Sequence, residues 1–312
     1  MQKVVLFGEC MLELKQSEPE VMRQSFAGDA YNTAVYLKRL FSTQDVSFMT
    51  ALGKDLISQQ MTDKFAGEGL NNDLVFADEV KTPGIYLVQT DDQGERSFLY
   101  WRDSSAARQV MKFVDDKVLS SLTESDVFFF SGISLAVIEP AYRTAFWEML
   151  NTLSISGVKI IFDPNYRARL WRGADEAKQA FEKAFALSDM LLPGIDDFEQ
   201  LYGLTTVEQV VDFCQPYNIA ELVIKNGPES LFIQLDGKLS ELKIKPVENV
   251  VDTTSAGDSF NGGYIGARLN GHSTEYSAKI ASAAAACVIQ HPGAIAPKAD
   301  FIEFMRSKFT DI

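Results

Sequence analysis

At 312 residues, 46% hydrophobic and 23% charged, the chain has the composition of a folded domain with a sizeable core, which excludes global disorder. A formal net charge of −14 with no basic block excludes nucleic acid or an anionic membrane surface as the main partner. Three scattered cysteines and two histidines, His272 and His291, argue against a His-based zinc site and against Ser-His-Asp hydrolysis, and a reduced, cytoplasmic protein is expected.

Met1-Gln2-Lys3 runs straight into the apolar Val4–Phe7, with no signal-peptide pattern and no apolar run long enough to cross a membrane. Val4–Phe7 predicts a first buried strand, and the following Gly8-Glu9-Cys10 lacks the glycine-rich turn of a dinucleotide site. Ile85–Thr90 and Arg96–Arg102 predict two strands of a hairpin turning at Asp91-Asp92-Gln93-Gly94-Glu95. A hairpin is not stable alone, so this one must pack on something. Beyond it, Asp126–Phe130, Val158–Phe162, Met190–Leu192 and Leu222–Lys225 predict further buried strands. Amphipathic stretches such as Tyr142–Leu153 and Asp175–Leu187 fall between them as helices. Strand alternating with helix predicts a doubly wound α/β fold: one domain over residues 1–312, its mostly parallel sheet sandwiched by helices, with the site at the carboxyl ends of the strands.

The densest signal lies late in the chain, in Asp252-Thr253-Thr254-Ser255-Ala256-Gly257-Asp258. It follows the strand-like Val247–Val251 and precedes a predicted helix over Asn261–Leu269. Small residues at a helix start let backbone N–H groups approach an anion, and the positive end of the helix dipole favours it. Asp258 then sits in the first turn, a base beside a phosphate cradle. An ordinary capped helix start accounts for the same spacing equally well.

The run resembles the C-terminal signature of the ribokinase-like (PfkB) carbohydrate kinases, with Ser255 in place of the usual first glycine. Phe26-Ala27-Gly28-Asp29-Ala30-Tyr31-Asn32 resembles the family's N-terminal signature, with Ala27 in place of a glycine. The resemblance implies a ribokinase-like fold with a small β-sheet lid over the sugar, formed by about 11–26 and 82–105. It implies Asp258 as catalytic base and the main chain of Ser255, Ala256 and Gly257 as an anion hole. Gly28, Asp29 and Asn32 would lie against the sugar. ATP would meet Asn165 and the strand and turn Lys225-Asn226-Gly227-Pro228-Glu229-Ser230, and Mg²⁺ would be held through water by Asp197, where Gly194 replaces the family's Asn. A monovalent cation near Asp252 and Thr254, and a homodimer or higher homo-oligomer, are left open.

Within the family, several phrases resemble the bacterial 2-keto-3-deoxygluconate kinases: Gly8-Glu9-Cys10-Met11-Leu12-Glu13-Leu14, Gly94-Glu95-Arg96 with Tyr100-Trp101-Arg102, and Asn165-Tyr166-Arg167. That branch implies ATP-dependent phosphorylation of a sugar acid on its terminal hydroxyl, with Tyr86, Tyr100, Trp101, Arg102 and Arg167 at the substrate. Two guanidinium groups aimed at one pocket suit a carboxylate, which each can pair bidentately. The alternatives are a kinase of a neutral sugar such as fructose or ribose, with the arginines only packing, and a sugar-acid sensor without turnover.

Overall fold

The apolar runs become strands in a computed structural model, which describes residues 2–18, 20–90 and 96–312; the turn at 91–95 expected from the sequence lies outside them. In chain order the first strands are β1 (Lys3–Phe7), β2 (Met11–Glu18), β3 (Val21–Ala27), β4 (Asp45–Leu52), β5 (Val75–Ala77), β6 (Ile85–Thr90) and β7 (Arg96–Trp101). The rest are β8 (Val127–Ser131), β9 (Lys159–Asp163), β10 (Met190–Leu191), β11 (Glu221–Asn226), β12 (Ser230–Leu235) and β13 (Lys238–Lys243). The helices begin with α1 (Asp29–Leu40), α2 (Leu56–Gly67), α3 (Asp116–Thr123), α4 (Gly132–Val137), α5 (Arg143–Ile155) and α6 (Ala174–Leu187). They continue with α7 (Ile195–Tyr202), α8 (Val207–Cys214), α9 (Ala256–Leu269), α10 (Thr274–Val288) and α11 (Lys298–Lys308).

One large sheet has the order β13-β12-β11-β10-β9-β8-β1-β4-β5. It is parallel from β5 to β11 and antiparallel beyond. In β8, Phe128 and Phe130 join the core on one side while Val127 and Phe129 join the core on the other. Helices cover both faces, so the four consecutive residues Val127–Phe130 are all apolar rather than every second one. Strand β1 lies between β8 and β4, where successive connections leave in opposite directions. The crevice outside the carboxyl end of such a strand is where open α/β sheets bind ligands.

A second, four-stranded sheet has the order β3-β2-β6-β7 and contains the segments expected at about 11–26 and 82–105. Only Gly8-Glu9-Cys10 separates the end of β1 from the start of β2, so this tripeptide is the joint between the two sheets. One expectation fails. Val247–Val251 forms no strand, and Val250 and Val251 are exposed. The ladder has already ended at β13, and Pro246 has no N–H to extend it. Instead the N–H groups of Val251 and Asp252 donate to the Ile289 carbonyl at 2.8 and 3.1 Å, so the segment hangs from the end of α10.

Candidate active site

At the carboxyl ends of β1 and β9, beneath the small sheet, lies a cavity of about 90 Å³ lined by Glu9, Gly28, Asp29, Tyr100, Arg102, Arg167 and Arg169, among others. Strand alternation selects which residues of the small sheet reach it: Tyr100 and Arg102 share a side, and Trp101, between them, is 58% exposed and absent from the wall. Trp101, expected at the substrate, stands on the other face of the small sheet from Tyr100. Tyr86, also expected at the substrate, pairs with Tyr100 across β6 and β7 and shares its face of the small sheet. It is buried, its hydroxyl donates to the Glu13 carboxylate, and its ring stacks on Tyr100 at 5.7 Å.

The arginines are held in different ways. Arg102 is buried and paired with Glu9, also buried, which joins the end of the small sheet to the joint after β1. Arg167 is exposed, with one nitrogen donating to the Tyr166 carbonyl at 2.9 Å. Arg169 stacks over Tyr100 at 4.0 Å from the ring centroid. Gly28 has to be glycine, because a Cβ there would stand 2.0 Å from the Glu9 carbonyl oxygen. Gly28→Ala is expected to destabilise the protein by about 3 kcal/mol through overpacking against main chain. A denaturant midpoint equal to that of the parent protein would contradict this.

Asn32 connects this cavity to Asp258. Its Oδ1 accepts the Gly28 N–H at 3.3 Å, and its Nδ2 donates to the Asp258 carboxylate at 2.8 Å. Among the described residues Asp258 has no ion-pair partner. Burial, and then the neighbouring Asp29 carboxylate, push its pKa up to about 7, while the Asn32 hydrogen bond opposes them. Asp29 is itself shifted upward by burial; it accepts from the Ser131 hydroxyl and from the Asn165 amide at 3.1 Å. Asn165 thus bonds to Asp29.

The helix start behind Asp258 has the form needed for an anion. Ser255 precedes α9 in the left-handed region with φ 65°, the conformation that makes glycine usual at such a position and that costs an L-residue about 1–2 kcal/mol. Ala256 does not contribute its N–H, which donates to the Thr253 carbonyl at 3.2 Å. The N–H groups of Ser255, Gly257 and Asp258 meet no protein acceptor among the described residues. They stand at the positive end of a 14-residue helix. Lys225, at the end of β11, donates to Asn261 Oδ1 at 3.2 Å and lies 3.5 Å from Asp163. A Cβ added to Gly257 would stand 3.8 Å from its ammonium nitrogen. The next turn is tied by the Asn226 amide, which donates to the Ser230 hydroxyl at 3.1 Å, and Gly227 takes φ 63° to form it, with Pro228 and Glu229 following.

Asp197 has a local structural part. Its oxygens accept the Tyr166 N–H at 2.7 Å and the Gly194 N–H at 2.9 Å, capping α7 and fixing the loop that carries Arg167. Burial and then the Asp163 charge push it up to about 6. Asp163 and Asp197, both under the influence of the Lys225 charge, suit a Mg²⁺ ion that keeps its waters and is carried mainly by phosphates. Among the described residues no three acidic, His or Cys side chains converge as a cage. Asp252 accepts the N–H groups of Thr254 and Gly293, both at 2.9 Å, which sets the loop before Ser255.

Glu9, Asp163, Arg169 and Asn261 were not anticipated as site residues. Glu9 and Asp163 carried a usable signal, as carboxylates at the carboxyl ends of apolar strands. Asn261 donates to Asp163 at 2.7 Å across 98 residues, a pairing created only by packing α9 against the sheet.

Residues 1–300 match the pfkB family carbohydrate kinases. The chain is 39% identical over 302 residues to the 2-dehydro-3-deoxygluconokinase of Dickeya dadantii, covering 95% of this chain and 97% of that one. It is 38% identical over 315 residues to the 2-dehydro-3-deoxygluconokinase of Haemophilus influenzae, covering 99% and 100%. Its fold matches a putative ribokinase II from E. coli, solved in complex with ATP and Mg²⁺, at a TM-score of 0.84 and 20% identity over 98% of this chain and 100% of that one. With a doubly wound sheet, a small second sheet and an anion-ready helix start already in place, these matches make the chain a member of the pfkB family of carbohydrate kinases.

Proposed function

We propose that the protein transfers the γ-phosphoryl group of ATP to the terminal hydroxyl of 2-keto-3-deoxygluconate, giving 2-keto-3-deoxy-6-phosphogluconate and ADP. The observation that carries this reading is the convergence of Arg102 and Arg167 on a cavity joined through Asn32 to Asp258. The names of the relatives at 37–39% identity support the same substrate.

The chain acts as one domain, with the small sheet as a lid. Arg102 and Arg167 hold the substrate carboxylate at one end, so that the terminal hydroxyl reaches Asp258 at the other. Asp258 takes the hydroxyl proton as the oxygen bonds to the γ-phosphorus and the bond to ADP breaks. The N–H groups of Ser255, Gly257 and Asp258, with the Lys225 ammonium, stabilise the charge on the transferring group. Mg²⁺ would neutralise phosphate charge, with Asp163 and Asp197 holding its waters. Exposed apolar side chains on one face of the small sheet, Met22, Leu99 and Trp101, form the surface on which two copies would pair.

Comparing ADP release with the sugar acid, fructose, ribose and a nucleoside tests the reading. Turnover of the sugar acid at least about 10² above the neutral sugars is expected, since each loses a charge-assisted carboxylate contact. Equal turnover of fructose, or ADP release independent of any sugar, would contradict it. The acid limb is a second check. Asp258 must be ionised to act, and its pKa is held near 7. Activity at limiting sugar acid should therefore fall as pH drops below about 7, because the proton is then retained on the base. Asp29→Asn, by removing a neighbouring negative charge, should move that limb to lower pH; a limb at the ordinary carboxylate value in the parent protein would refute the assignment.

A further inference from the structure

A second cavity, about 360 Å³, opens at the other end of α1, between the carboxyl ends of α1 and α2 and the side of α11. Its wall holds Lys38, Arg39, Lys298 and Arg306, its one acidic side chain is Glu68, and Ile312 stands at its edge. Glu68 is already surrounded: Arg39 holds it through two hydrogen bonds of 2.9 and 2.8 Å, Lys64 stands at 3.1 Å and Lys298 at 3.9 Å. Four or five cations thus face one acid in a protein whose net charge is −14.

Balancing of helix dipoles accounts for only part of this. Lys38 and Lys64 sit in the last turns of α1 and α2, where cations are favoured. Arg306 sits likewise in the last turn of α11. Lys298 opens α11, at the end where the dipole disfavours a cation. Among the described residues neither Lys38 nor Arg306 is ion-paired; the Lys38 ammonium donates to the Ser42 and Gln44 carbonyls at 2.8 and 2.6 Å, which leaves one of its N–H groups for a ligand. Burial holds Lys38 below the usual lysine range, with Asp45 offsetting that in part. Phe301 and Met305 add apolar surface to the same wall.

We propose that this cavity is an effector site for a small phosphorylated organic anion, its phosphate on Lys298, Arg306 and Lys38 and its organic body against Phe301 and Met305. An anion there competes with Glu68 for the surrounding cations, and Arg39 is tied to the catalytic loop. Arg39 donates to the Ala296 carbonyl at 2.7 Å. The Tyr36 hydroxyl donates to the Ala294 carbonyl at 2.8 Å and accepts the Ala296 N–H at 2.9 Å. Gly293, in the same loop, donates to Asp252, which holds Thr254 directly before Ser255. Displacement of Arg39 is therefore transmitted to the loop that shapes the anion hole.

Phenyl phosphate is a suitable probe, titrated by calorimetry at constant ionic strength with the reaction site filled by sugar acid and a non-hydrolysable ATP analogue. Saturable binding is expected, weakened about tenfold or more in Lys298→Gln/Arg306→Gln, whose exposed positions leave the fold and basal turnover unchanged. In steady-state assays the probe should change kcat or the KM for ATP about twofold or more in the parent protein, and not in the double variant. Absence of saturable binding, or equal binding by parent and variant, overturns the site. Saturable binding with unchanged kinetics overturns the effector role.

Discussion

Replacing Asp258 with Asn is expected to lower kcat by a factor of about 10² to 10⁴ while leaving the fold intact, the range seen when a positioned base is removed. The substitution keeps the size of the side chain and its place beside Asn32. It removes the carboxylate that Asn32 joins to the cavity. Melting temperature at alkaline pH should hold or rise, because burial and Asp29 already disfavour the carboxylate charge that Asn lacks. A variant retaining more than about a tenth of parental turnover would remove Asp258 from the base role. A variant that loses activity together with its near-ultraviolet circular dichroism would show a structural role instead.

The second large effect separates the two arginines. Arg167→Ala should raise the KM for the sugar acid on the order of 10²-fold, leave the KM for ATP nearly unchanged and barely affect stability, since the side chain is exposed. Arg102→Ala should raise the same KM and also destabilise the protein by about 3–5 kcal/mol, because it strands the buried Glu9 carboxylate. Glu9→Leu/Arg102→Met should recover much of that stability without recovering affinity, since an apolar pair needs no partner. If the double variant regains both, Arg102 is a packing residue and the carboxylate assignment falls. If Arg167→Ala changes the KM of ATP and sugar acid equally, its place at the substrate falls as well.

Parts of this architecture were legible in advance because they follow from local chemistry. Four apolar residues in a row at Val127–Phe130, next to turn residues, suit a strand covered on both sides, and Gly257-Asp258 after small residues suits a tight entry to a helix. The valines at 247–251 misled for the converse reason. Strand propensity expresses fit to a pleated neighbour, and no neighbour is available past β13. Tyr86 and Trp101 were placed at the substrate by resemblance, whereas only the register shows that Tyr86 shares the face of Tyr100 while Trp101 points the other way.

By itself the sequence determined the alternation of strand and helix, the helix start that can receive an anion, and the supply of arginines in an otherwise acidic chain. These depend on side-chain size, backbone freedom and periodicity, all carried by near neighbours. Only the tertiary structure decided that Glu9 holds Arg102, that Asn32, bonded to Gly28, reaches Asp258 across 226 residues, and that Asp29 stands close enough to raise the base. Charge and hydrogen-bond energies depend on separation in space and on burial, and neither is defined until the sheet has brought distant segments to one edge.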